Sequence, residues 1–288
     1  MIAPVLVYFI IFSYLPMVGV YNAFTNYNME GGLFRSPFIG FKNFEFLFTS
    51  GILFKITKNT ILYNLAFMFF GSFFEIMTAI MLTEIASKPF KKVSQSFMLL
   101  PHFISFVLVA VFAYNLLNVD NGIINTIRKD LGFEPYSFYS EPSAWKYILV
   151  FVDIWKGTGY GSIVYMAAIM GIGNEYYEAA KIDGATIFQQ IWYITLPLIR
   201  PTFVLLFLFK IGKILNGNFG MFYQLVGNNG LLLDATDIID TFVYRSLTAN
   251  FDIGMGTAAG LYQSFFGFLL VMCSNYFVRK VNPDYALF

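Results

Sequence analysis

The sequence predicts an all-α polytopic membrane protein with six transmembrane helices. Three observations carry that reading. Of 288 residues, 58% are hydrophobic and only 12% are charged, where a soluble domain has about 25% charged residues. Mean hydropathy is +0.65. The apolar residues are gathered into runs of about 20, the length an α-helix needs to cross a hydrocarbon core of about 30 Å. A net charge of +1 leaves no electrostatic footprint for nucleic acid. One cysteine, Cys273, and one histidine, His102, exclude an internal disulfide, a thiolate cluster and a His-rich metal site.

The runs divide a single domain, 1–288, into spans at about 2–24, 59–86, 97–117, 145–171, 198–219 and 254–278. The first has Pro4 near its start and Pro16 as an expected kink. It lacks a basic lead and a small-residue cleavage site, so it reads as a span and not as a cleavable signal. The second is long enough to tilt, and the third is uncharged. Between the first and second, Gly40-Phe41-Lys42-Asn43-Phe44 with Phe46-Leu47-Phe48 reads as a short interfacial helix. Residues 121–143 and 223–250 read as solvated loops. Basic residues divide nearly evenly between the two sides, but the outer segments are longer. Basic density, and above all Lys88-Pro89-Phe90-Lys91-Lys92, therefore places both termini in the cytoplasm.

One polar stretch, Glu178 to Pro197, separates the fourth and fifth spans inside the connection 172–197. Glu178, Ala179, Ala180, Ile182 and Ala185 suit a short amphipathic helix. Gly184 supplies a turn or a close approach. Ile187, Phe188, Ile191 and Trp192 suit a second short helix, which Pro197 is expected to end.

Charges at membrane depth are costly and are candidate functional groups. Here they are Glu75, Glu84, Asp153, Lys156, Lys210 and Lys213. Lys156 follows Asp153 by one helical turn, so the two are expected to share a face and to pair. Two readings stay open: the charges neutralise one another and hold helices together, or some of them line a polar pathway. His102 beside Pro101 reads as a helix-start residue, and Cys273 as packing.

The Glu178–Pro197 stretch resembles the EAA loop of importer-type ABC transporter permeases. The residues that carry the resemblance are Glu178-Ala179-Ala180, then Asp183-Gly184-Ala185, then Ile194-Thr195-Leu196-Pro197, each at the family spacing. Further stretches are similar to the carbohydrate-importer (MalF/UgpA-like) branch, and within it to the LplB-type oligosaccharide permeases. They are Leu100 to Ser105, Trp155-Lys156-Gly157, Gly159-Tyr160-Gly161, Asp237 to Arg245 and Gly260 to Ser264. The similarity runs from Pro4 to Asn275; the family's usual cytoplasmic lead-in before the first helix is missing.

The resemblance implies a type I ABC importer permease fold. It implies that Glu178, Ala179, Ala180, Asp183, Gly184, Ala185, Ile194, Leu196 and Pro197 form the coupling loop that docks on a cytoplasmic ATPase. It implies substrate contacts from Trp155, Lys156, Gly157 and Tyr160 before the loop, and from Asn216 and Asn218 after it. The bland alternative for Trp155 and Tyr160 is an interfacial aromatic belt. Lys213 joins the set as an ammonium on a helix expected to flank the pathway. The implied partners are a second homologous permease, two ATPase chains, an extracellular or periplasmic sugar-binding protein, an oligosaccharide and the lipid bilayer of a bacterial plasma membrane. No phosphate-binding loop occurs, so ATP and Mg belong to the partner ATPase; the chain itself is expected to carry no cofactor, metal or catalytic residue. The expected cargo is an oligosaccharide, acidic if one of the lysines faces the pathway unpaired. Alternatives are another solute, such as a neutral sugar or a glycerol phosphate, or a self-contained secondary transporter.

Overall fold

The computed structural model describes residues 2–281, and they are mostly helical. Among the described residues the only extended pairing is an isolated bridge between Thr25 and Phe38. Helix α1, Ala3–Phe24, exposes apolar side chains along nearly its whole length. A short helix α2, Lys42–Thr49, lies where the aromatic interfacial segment was expected and buries Leu47. Helix α3, Ile52–Glu84, begins seven residues earlier than the expected second span.

The third span differs from expectation. It is two helices, α4 (Lys88–Phe103) and α5 (Phe106–Leu117), bent by 92°. Pro101 removes a backbone donor near the end of α4. Ser105 then restarts the chain as an N-cap, its Oγ accepting the amide of Leu108 at 3.4 Å. His102 accordingly sits in the last turn of a helix, not at its start. A short helix α6, Ile123–Asp130, follows.

Helix α7, Pro142–Met170, is 29 residues long. Its middle is diluted by Asp153, Lys156, Gly157, Thr158, Gly159 and Tyr160. Among the described residues it therefore falls outside the helices that are long and apolar enough, by composition, to cross a membrane. Those are α1, α3, α9 (Ile187–Gly212) and the greater part of α13 (Ile253–Val281), with the bent α4–α5 pair as a fifth. Between α7 and α9 lies α8, Asn174–Ile182; between α9 and α13 lie α10 (Phe219–Val226), α11 (Leu233–Thr236) and α12 (Ile239–Thr248).

Helices α3 and α7 are the axis of the bundle. They run parallel: Tyr63 and Leu149, from their N-terminal halves, share one core cluster with Trp145, Val109 and Phe222. Ala79 and Tyr165, from their C-terminal halves, share another with Ile169 and Ile199. A third cluster joins α1, α2, α3, α12 and α13 through Ala23, Leu47, Ile56, Ile239 and Ala258. The α4–α7 crossing is close enough that a Cβ on Gly159 would collide with the carbonyl of Met98. Trp145, fully buried, donates its indole N–H to Phe138 O at 2.9 Å and so seals the entry into α7.

Candidate functional site: a charged cavity and an exposed helical hairpin

The fifth span also departs from expectation. Helix α9 ends at Gly212, and residues 213–218 are unwound. Backbone groups freed at that depth need partners, and side chains from other helices supply them. Asn64 Nδ2 donates to Ile214 O at 3.0 Å and to Asn216 O at 3.2 Å. Gln263 Nε2 donates to Leu215 O at 2.8 Å. The Gly217 amide donates to Asp240 Oδ2 at 2.7 Å. Asn218 accepts the amide of Met221 at 3.1 Å and caps α10. A side chain at position 217 would strike Ile238 and Asp240, so glycine is required there.

This unwound segment forms one wall of a cavity of about 620 Å³ between α3, α7 and α9. From α3 it receives Asn64, Phe67 and Glu75; from α7, Asp153, Gly157 and Thr158. Lys210, Lys213, Asn216, Asn218 and Phe219 complete the wall. Lys210 Nζ lies 3.0 Å and 2.9 Å from the two carboxylate oxygens of Glu75 and 3.1 Å from Ser72 Oγ. Gly161 makes room for that pair, since a Cβ there would strike the Glu75 carboxyl group. Lys213 is exposed at the cavity rim, and among the described residues no ion pair or hydrogen bond engages its ammonium. The cavity thus offers amides, a hydroxyl, two aromatic rings, the Asp153 carboxyl group and the Lys213 ammonium.

Of the residues expected to touch substrate, Gly157, Lys213, Asn216 and Asn218 line this cavity. Trp155, Lys156 and Tyr160 do not. The expected Asp153–Lys156 pair is not made. Lys156 instead donates to Pro101 O at 3.1 Å and to His102 O at 2.6 Å, and lies 5.0 Å from the centre of the Phe106 ring. The physical reason is the break between α4 and α5, which leaves carbonyls without their full helical partners at a helix C-terminus, where a cation is favoured. Tyr160 stacks on His102, with centroids 4.3 Å apart and an interplanar angle of 8°. Lys156 and Tyr160 clasp the elbow from outside, while Gly157 faces the cavity. Trp155 is 38% exposed.

Sequence reasoning missed Asn64, Phe67, Thr158 and Phe219 in the wall, and Asp240 and Gln263 behind it. A polar amide inside the apolar run of α3 was a readable signal for Asn64. Asp240 and Gln263 lie in stretches that resemble the family, but nothing local marked their roles, because their partners lie 23 and 48 residues away. Asp237, which looked like loop acidity, is buried and pairs with Arg245 at 2.6 Å.

The polar stretch after α7 folds into a helical hairpin. Helix α8 carries Glu178, Ala179 and Ala180, and Asp183 is its C-cap. The Ala185 amide returns to Ala180 O at 2.9 Å and the Gly184 amide to Lys181 O at 3.1 Å, the paired bonds of a Schellman motif. Gly184 has φ +79°, a left-handed conformation that favours glycine. Thr186 and Gln189 then form a capping box that starts α9. Tyr177 and Thr195 hydroxyls, 3.0 Å apart, tie the two arms.

Pro197 does not end this second helix. Residues Ile191–Thr195 form a wider π-helical turn, and α9 continues through Pro197 to Gly212. Such a turn re-routes the hydrogen bonds that proline cannot make. Leu196 packs against the Ala79–Tyr165–Ile199 cluster; Ile194 is half-buried and Pro197 exposed. On the outside, Ile182, Phe188, Trp192 and Tyr193 are 86%, 84%, 67% and 74% exposed. The polar hairpin therefore leaves a cluster of large apolar side chains uncovered.

A helical bundle with apolar outer faces, a polar cavity at a broken helix and an exposed polar hairpin has the make-up of a membrane-embedded transport subunit. Residues 68–283 match the family of binding-protein-dependent transport system inner membrane components, and the chain belongs to that family. It is similar to protein LplB of Bacillus subtilis (strain 168), with 34% identity over 284 residues, 99% of this chain and 89% of that protein. It is similar to the polygalacturonan/rhamnogalacturonan transport system permease protein YteP of the same organism, with 35% identity over 287 residues, 99% and 88% of the two chains. Among solved structures it is similar to a chain of a bacterial ABC transporter involved in the import of the acidic polysaccharide alginate. That match has a TM-score of 0.87 and 34% identity over 97% of this chain and 93% of the other. The alginate transporter is also known in complex with an alginate pentasaccharide-bound periplasmic protein, with a TM-score of 0.86. The chain is a permease subunit and not an enzyme.

Proposed function

We propose that this chain is one half of the transmembrane pathway of an ATP-driven importer of oligosaccharides, and that its cargo carries carboxylates. With α7 and the α4–α5 pair the chain crosses the membrane six times, so both termini share a side, and the basic cluster at Lys88, Lys91 and Lys92 favours the cytoplasm of a bacterial cell. A second, homologous permease faces the cavity from the other side. Two ATPase chains, holding ATP and Mg, dock on the hairpin through Glu178, Ala179, Gly184 and the exposed Ile182 and Phe188. An extracellular sugar-binding protein supplies the cargo.

The observation that carries the acidic cargo is Lys213. Its neighbour Lys210 is neutralised by Glu75 at 2.9 Å, whereas Lys213 stands at the cavity rim without a partner. An ammonium there is a point-charge partner for a uronate carboxylate. Asn64, Asn216, Asn218 and Thr158 suit the hydroxyls of a sugar, and Phe67 and Phe219 its CH faces. The similar solved transporter is involved in the import of the acidic polysaccharide alginate, and YteP is a polygalacturonan/rhamnogalacturonan permease. A neutral oligosaccharide is favoured by one feature: Asp153 faces the same cavity and would repel a uronate.

Uptake competition decides between the two. Cells carrying the full transporter are expected to prefer an oligouronate to its carboxyl-reduced counterpart. Lys213→Met is expected to abolish that preference and to leave ATPase assembly intact. Equal uptake of the two sugars by the unmodified transporter refutes the acidic cargo.

A further inference from the structure

A second cavity lies on the other side of α3, toward the N-terminal ends of α3 and α7. It is an open groove of about 780 Å³ between those two helices and α11. Its walls are apolar: Phe54, Leu62, Phe70, Tyr147, Val150 and Phe151. Its mouth holds three ammonium groups, Lys55, Lys58 and Lys146, and one carboxylate, Asp234. Asp234 is already taken, at 2.7 Å from Lys55 Nζ. Lys58 and Lys146 remain, and among the described residues no ion pair or hydrogen bond engages either of them.

The floor of the mouth is fixed. Asn59 Nδ2 donates to Asp234 O and Asp237 O at 3.2 and 3.0 Å, and Tyr63 OH donates to Ala235 O at 3.0 Å. Those bonds hold α11 against α3, so the groove does not depend on a ligand to keep its shape. Its dimensions fit the bilayer. From Lys58 to Phe70 is about 18 Å at 1.5 Å per residue, close to the roughly 15 Å from a membrane surface to its midplane. Cationic at the membrane surface and apolar down to the centre, the groove has the charge and polarity profile of one phospholipid with an anionic head.

We infer that this groove binds an anionic phospholipid of the leaflet opposite the α8–α9 hairpin. The phosphate sits between Lys58 and Lys146, and an acyl chain runs along Leu62, Phe70 and Phe151. Charge complementarity favours a lipid over a second protein: the two free ammonium groups at the mouth need an anion, and the wall below them offers almost nothing polar.

The test uses the whole purified complex in nanodiscs of phosphatidylcholine with increasing phosphatidylglycerol, read by native mass spectrometry. The wild-type complex is expected to retain phosphatidylglycerol. The double variant Lys58→Gln/Lys146→Gln is expected to bind it roughly thirtyfold more weakly, the effect of two lysines of the strength found at anionic membrane surfaces. Phe151→Trp, which narrows the groove and leaves both charges, is expected to displace the lipid as well. The thermal midpoints of all variants in pure phosphatidylcholine separate lost lipid from lost fold. Equal retention of phosphatidylglycerol by the wild type and the double variant overturns the inference. So does an efficient cross-link from Phe151→Cys to the partner permease, because protein then covers the groove. Displacement of phosphatidylglycerol by an oligouronate also overturns it, and would give the groove to the cargo.

Discussion

The Glu75–Lys210 pair allows the sharpest quantitative test. At 2.9 Å, two unit charges attract by about 6 kcal/mol at an effective dielectric constant of about 20. Desolvation offsets much of that gain, and it reverses the outcome when only one partner is removed: a buried charge left alone costs about 3–5 kcal/mol. The Lys210 side chain keeps 30% exposure and Glu75 12%, so water still reaches the lysine. The lower end, about 3 kcal/mol, is therefore expected for Glu75→Gln and for Lys210→Met alike. The double variant leaves no orphan charge. It is therefore expected to cost less than either single change, which is a coupling of more than about 3 kcal/mol. The assay is reversible unfolding of the purified protein in mixed micelles titrated with dodecyl sulfate, for wild type, both singles and the double. Additive costs, with a coupling below about 0.5 kcal/mol, would refute the argument that the pair is mutually dependent at this depth.

Three further outcomes follow from the geometry. Gly184→Asp places a side chain at φ +79°, a strain of roughly 1–2 kcal/mol confined to the hairpin. Co-purification of the ATPase and transport are expected to fall while the bundle's helical content, read by circular dichroism, is unchanged. Lys156→Met removes both bonds to the α4 carbonyls and is expected to lower the unfolding midpoint while preserving cargo preference in the uptake competition. Loss of preference instead would return Lys156 to the pathway. For the exposed pair Lys55–Asp234, the hydrogen bond from Lys55, and then its charge, hold the carboxyl group below its ordinary value of 3.8. A depressed folded-state value means that the pair stabilises above the unfolded value and loses that contribution as pH falls below it. Both side chains are exposed, so the change is small. The difference in melting midpoint between wild type and Asp234→Asn is expected to shrink between pH 6 and pH 3.

Much of this was readable from residue order alone, for reasons that differ by region. The apolar runs and the 178–197 motif are local, and local patterns survive translation into structure: Gly184 is a left-handed turn and Thr186 starts a helix. The breaks were harder to see. Pro101 and Pro197 are both prolines in apolar surroundings, yet one stands at a 92° elbow and the other is passed through. The difference lies in what surrounds each: Ser105 restarts a helix after Pro101, while a π-helical turn precedes Pro197. The cavity wall was half legible. Gly157, Lys213, Asn216 and Asn218 belong to it. Lys156, the neighbour of Gly157, turns away from the cavity to the α4 carbonyls, because helical phase separates adjacent residues by about 100°. The groove between α3, α7 and α11 had no local signal, since its walls come from separate helices and its floor joins residues 172 and 175 positions apart.

The continuity of α9 through Pro197 has a mechanical consequence. One unbroken helix, Ile187–Gly212, begins at the docking hairpin and ends at the cavity floor. It is a lever of about 39 Å at 1.5 Å per residue. If its hairpin end is turned by about 5°, a rigid lever of that length carries the other end through about 3 Å. Lys210 rides on the moving end, and a shift of that size exceeds the tolerance of its bonds to Glu75 and Ser72, since hydrogen bonds fail beyond about 3.5 Å. The same displacement would pull on residues 213–218, which Asn64, Asp240 and Gln263 hold from three other helices. A small stroke at one end of a single rod is thus enough to re-set the contacts that a bound solute would meet at the other.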